Sequence, residues 1–121
     1  MTSNLLTKAE LDQIVPTEMR YRHNPIGKVL YTEGVRYLAD KGEAEWLITQ
    51  IAFAQTHRNV AAEDFQRWRL LVKLETGSAV LECFSDKDQL VFSRTIEYTE
   101  FPIEETLLYV VANVMMLPSE R

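Results

Sequence analysis

Cysteine is almost missing from this sequence. Cys83 stands alone, so no disulfide can close within the chain, which fits a reducing compartment. Histidine is nearly as scarce: His23 and His57 are the only two, and no C-x-x-C or H-x-x-x-H spacing is present. A closed zinc centre would need three distant segments to converge, so neither a metal nor a cofactor is expected. The four glycines, at 27, 34, 42 and 77, are isolated, which removes the glycine-rich loops that cradle phosphates. No apolar run nears the roughly 20 residues that span a bilayer. The opening MTSNLLTKAELDQ also lacks the basic-then-apolar plan of a signal peptide. A cytoplasmic protein with no membrane partner is therefore expected.

A basic surplus is absent too. Lys and Arg number 13 against 18 Asp and Glu, and residues 61–121 hold six of the basic but eleven of the acidic residues. Duplex binders show the reverse, so nucleic acid is an unlikely partner, with Arg20, Arg22 and Lys28 as the one local basic patch. What is present suits an ordinary globular chain: 121 residues, 46% hydrophobic and 26% charged. Residues 1–121 are expected to form one domain that buries about two-thirds of its unfolded surface.

Local signals come next. Thr7 with Glu10 makes a capping box at the start of a short helix that Pro16 limits. The stretch from Pro16 to Tyr31 has no helical period and reads as extended or irregular chain, with an edge strand near Val29–Tyr31. Thr32 caps a helix over Glu33–Lys41 that ends at Gly42, and an apolar helix follows over Glu43–His57, with Trp46 and Phe53 extending its buried face.

From Phe65 the period changes to two. Trp68, Leu70 and Val72, then Ala79, Leu81 and Cys83, alternate with wetter positions, and Leu90 to Tyr98 reads as a third strand. The spacing of Ile103, Leu107, Val110, Val111 and Val114 predicts a closing helix over Pro102–Met116. The expected fold class is α+β: a three- to four-stranded antiparallel meander with helices packed on one face, in the order α-α-α-β-β-β-α. Tyr-Thr-Glu occurs twice, at 31–33 and 98–100. Each copy reads as a junction between extended chain and a helix N-terminus, since the flanking residues do not repeat.

TEMRYRH (17–23), YTEGVRYLADKGEAEWLITQIA (31–52), FQRW (65–68), YTEFPIEETLLY (98–109) and LPSE (117–120) follow one another through nearly the whole chain. In that order they resemble a family of small bacterial, plasmid and phage proteins catalogued only as a domain of unknown function. The resemblance implies a cytoplasmic prokaryotic setting with a possible link to mobile elements, and it brings no activity.

Two places invite function. Glu18, Arg20, Arg22 and His23 form the densest polar cluster, and beside Glu33 or Glu100 they would suit an anionic ligand or proton transfer. Their bland alternative is ion pairing with neighbouring helices. Leu71, Val80, Phe84 and Val91 would share the outer sheet face as an apolar patch, which marks a protein partner or a second copy unless the N-terminal arm covers it. Trp68 and Cys83 read as core, His57 as structural, and no catalytic residue is assigned. The leading expectation is a non-enzymatic interaction module that binds another protein or itself; the alternative is a small enzyme or anionic-ligand-binding protein.

Overall fold

A computed structural model describes residues 5–22 and 29–121, so His23 and Lys28 lie outside the described residues. The elements run α1 (Lys8–Asp12), β1 (Arg20–Arg22), β2 (Leu30–Thr32), α2 (Glu33–Lys41), α3 (Glu45–Ala54), α4 (Arg58–Ala61) and β3 (Phe65–Val72). They continue with β4 (Ala79–Phe84), β5 (Leu90–Ile96), β6 (Glu105–Val111), β7 (Val114–Met116) and a 3-10 turn at Pro118–Glu120.

All seven strands join one sheet in the order β1-β2-β7-β6-β3-β4-β5. The β2–β7 pair is parallel and the rest are antiparallel, so the sheet is mixed. The α+β class stands, but the meander of three or four strands and its element order do not. The expected closing helix over Pro102–Met116 is instead the hairpin β6–β7. Its two-residue turn, Ala112 and Asn113 at φ 51° and 67°, has the double left-handed geometry that matches strand twist. Likewise β2 is no edge: it lies between β1 and β7.

Helix signals were more local and held better. Thr7 accepts from Glu10 N–H while the Glu10 carboxylate accepts from Thr7 N–H, completing the capping box. Thr32 Oγ1 accepts from Val35 N–H at 3.3 Å and starts α2. Gly42 closes α2 in a right-handed conformation, and the left-handed residue is Glu43 at φ 51°. The apolar helix ends at Ala54, and Phe53 points outward, 56% exposed.

The period-two expectation describes β3 and β4 well. Gln66, Trp68, Leu70 and Val72 are buried, as are Ala79, Leu81 and Cys83. Trp68 pairs across the sheet with Cys83 on one side and Leu108 on the other. Those residues share a core with Leu38, Leu47, Ile48 and Ile51 from α2 and α3. The helices thus cover one face of the sheet. On the other face, no residue of β3, β4 or β6 is fully buried. Among the described residues, no helix is long and apolar enough to cross a membrane.

Candidate functional site

Strand alternation puts Phe65, Arg67, Arg69 and Leu71 of β3 on the open face. Leu71 lies directly opposite Val80, and Arg67 opposite both Phe84 and Tyr109. Three of the four expected patch residues, Leu71, Val80 and Phe84, therefore meet there. Val91 does not. A bulge between Cys83 and Phe84 leaves Leu90 opposite Phe84, and Val91 packs against the core instead. An extra residue in one strand breaks strict alternation, and sequence periodicity carries no sign of where it falls.

The cations of this face are already engaged. Arg69 donates through Nε and Nη2 to Glu82 Oε1 at 3.1 and 2.8 Å, and its Nη1 lies 3.8 Å from Glu105. Arg67 pairs with Asp88. Both guanidinium groups lie over the Phe84 ring, at 5.1 and 5.2 Å, while that of Arg121 lies 4.6 Å from the centre of Phe65. Base stacking needs open ring faces and phosphate binding needs unspent positive charge, and this surface offers little of either. It offers apolar area crossed by matched ion pairs.

The polar cluster near the N-terminus is spread out. Arg20 folds back on its own segment, donating to the carbonyls of Thr17 and Met19 at 2.9 and 2.8 Å. Tyr21 turns to the helix side, stacks on Tyr31 at 5.6 Å and carries the Arg36 guanidinium over its ring. Glu18 and Arg22 are exposed, Glu33 is the first residue of α2 and half-buried, and His23 falls outside the described residues. Glu100 is elsewhere, in the β5–β6 connection.

Glu100 instead lines a cleft of about 720 Å³ between that connection and the α2–α3 junction, and no residue of 17–22 reaches it. Trp46, Tyr98 and Phe101 supply its rings, Glu43 and Glu100 its carboxylates, and Gln50 an amide. Its lysine, Lys41, is spent on the Glu10 carboxylate, which also accepts from Tyr37 at 2.7 Å. That pairing holds Glu10 down at about 2.

The second Tyr-Thr-Glu is thus no helix start. Thr99 Oγ1 accepts from Phe101 N–H at 3.1 Å, a local turn leading into β6. Among the described residues no cluster of three His, Cys, Asp or Glu could hold a metal ion.

A family model described as DUF6876, a family of unknown function, matches residues 5–121. The chain belongs to DUF6876. No curated protein and no solved structure matches it. The DUF6876 span takes in both the open sheet face and the cleft, so each is part of the family's own domain. Sequence reasoning reached the first through the alternation of β3 and β4. It named Glu100 but set it beside residues 17–23, and so missed the cleft, whose walls come from segments about 50 residues apart, 43–50 and 96–102. A further signal was Tyr98, a large ring expected at the end of the third strand and found exposed beyond it, since β5 stops at Ile96.

Proposed function

We propose that this DUF6876 chain is an interaction domain that docks a second copy of itself through the open face of the sheet. The observation that carries the reading is the composition of that face. Leu71, Val80, Phe84, Leu90, Leu107 and Val111 supply apolar area, and the two arginines among them are matched by Glu82, Asp88 and Glu105. Alternating strands that face only water usually turn polar side chains outward. Contiguous exposed apolar surface marks contact sites.

Size and charge favour a second copy. Four strands of six to eight residues and three of three residues cover about 600 Å² in projection, using about 3.3 Å per residue and about 4.8 Å between strands. In accessible surface that approaches the roughly 800 Å² per partner of a standard specific interface. The chain as a whole carries a net charge of −5. On this face Arg67 and Arg69 are paired with carboxylates, so two copies related by a two-fold axis can meet over β3 without bringing unmatched guanidinium groups together.

Sedimentation velocity over a concentration series tests the reading. A dimer is expected, converted to monomer by Phe84→Glu and by Leu90→Glu, the latter at a position already 54% exposed and able to accept a charge without unfolding. A native chain that stays strictly monomeric overturns it. The bacterial, plasmid or phage setting implied by the sequence resemblance belongs to the same proposal, and would be tested by whether the family's genes lie within plasmids or integrated phages. The other reading, an anionic-ligand or catalytic segment at Glu18, Arg20, Arg22, His23 and Glu33, has weaker support because Arg20 spends its guanidinium on its own backbone.

A further inference from the structure

Three exposed apolar side chains meet beside the β5–β6 connection. Of eight large hydrophobics that are clearly exposed among the described residues, three line two hollows that share a wall: Leu5, Leu74 and Tyr98. One is the 720 Å³ cleft and the other a hollow of about 370 Å³, where Glu75 adds a carboxylate; the pair is called the groove below. Tyr98 and Glu100 line both. Tyr98 is 63% exposed yet seated, because Gly77 beneath it has no side chain: a Cβ there would come within 2.5 Å of the ring. Gly77 also adopts φ +80°, and its carbonyl accepts from Thr99 N–H at 2.7 Å, fixing the connection that carries Tyr98. On the opposite wall Glu43 holds a left-handed backbone, φ 51°, which costs an ordinary L residue energy and turns up often where a site needs a particular geometry.

The chemistry of the walls selects a ligand. Aromatic faces with carboxylates nearby attract organic cations, the ring through its quadrupole and the carboxylate through its charge. The wall cation Lys41 is neutralised by Glu10, and the nearby Arg94 is turned to Gln50 Oε1 at 3.1 Å with its guanidinium 5.9 Å from the Phe92 ring. Among the described residues, Glu43, Glu75 and Glu100 have no cationic partner at salt-bridge distance. Glu100 does take a hydrogen bond from the Tyr98 hydroxyl at 3.3 Å, which ties ring and carboxylate together. The volume lies in the range of small-ligand sites.

The geometry points to a binding site for an organic ammonium cation in the groove at Trp46, Tyr98 and Glu100. Choline is the probe and 3,3-dimethylbutan-1-ol, its neutral carbon isostere, is the control. The chain has two tryptophans, and Trp68 is fully buried in the core, so the indole N–H resonance of Trp46 reports on the groove while that of Trp68 serves as reference. Choline is expected to shift the Trp46 resonance saturably and the neutral alcohol to leave it in place. Tyr98→Ala combined with Glu100→Gln should weaken choline binding at least tenfold. Both positions are exposed, and an unchanged Trp68 resonance confirms that the variant is folded.

A peptide bearing trimethyl-lysine provides the second arm. Tighter binding than choline assigns the cation to a protein partner, and weaker binding assigns it to a free amine; both support the site. Equal response to choline and its neutral isostere, no response to any cation, a response to inorganic phosphate in place of the cations, or unchanged binding by the double variant overturns it.

Discussion

The carboxylate of Glu120 occupies the space that a side chain on Gly34 would need: a Cβ at residue 34 would come within 2.6 Å of it. Glu120 accepts hydrogen bonds from Gly34 N–H at 3.0 Å, from Leu117 N–H at 3.0 Å and from the Thr32 hydroxyl. Gly34 belongs to the first turn of α2 and Thr32 is its N-cap; backbone N–H groups of that turn have no helical partner, and a negative charge there is favoured. The residue next to the C-terminal end of the chain thus caps a helix that begins more than eighty positions earlier.

Removing this cap leaves buried donors unpaired. Glu120→Ala is expected to cost about 2–3 kcal/mol, and Gly34→Ala about 1–3 kcal/mol by displacing the carboxylate, both read from urea unfolding midpoints. Because one contact is removed in each case, the double variant should cost less than the sum. Full additivity would show that Gly34 and Glu120 act separately.

Glu10 sets an acid response. Its carboxyl is held at about 2, below its ordinary 4.5, chiefly by the hydrogen-bonded ion pair with Lys41 and next by the Tyr37 hydroxyl. A depressed carboxyl adds stability that is fully present above the unfolded value and lost as pH falls through the folded one. Glu10→Gln should therefore flatten the fall in unfolding midpoint between about pH 4.5 and pH 2, and leave the profile above that window parallel to that of the native chain. An unchanged slope in the acid range would contradict the pairing.

Cys83 should be inert in the folded protein. It is fully buried against Trp68, and burial pushes its thiol up to about 12, so thiolate is scarce at neutral pH. A disulfide reagent at pH 8 is expected to label it at the rate of unfolding and to label it at once in denaturant. Fast labelling of the native chain would mean that the β3–β4 face opens to solvent.

How much was legible follows the range of each interaction. Thr7 with Glu10 and Thr32 with Val35 are contacts three residues long, and residue type at fixed spacing announced both. Alternation around Trp68 and Cys83 was equally plain because each strand buries one face. Residues 102–116 misled for a physical reason. Ile103, Leu107, Val110 and Val114 fit a helical stripe, yet the buried side chains of β6 are Thr106, Leu108 and Val110, a period of two inside a run apolar on both faces. Short apolar runs support either reading, and the β-branched content of TLLYVV with the Ala112-Asn113 turn was the signal that favoured strands. At the polar cluster, Arg20 found its partners in its own segment, the carbonyls of Thr17 and Met19.

By itself the sequence determined where α1 and α2 begin and which residues of β3 and β4 turn inward, which depend on neighbours a few positions away, and its single cysteine excluded a disulfide within the chain. The tertiary structure decided the rest: that β2 pairs in parallel with β7, that Glu120 caps α2, that a bulge takes Val91 off the open face, and that Trp46 and Tyr98 share a groove. Each of those is a meeting of separate segments. Backbone hydrogen bonding and close packing choose such partners only when the whole sheet assembles.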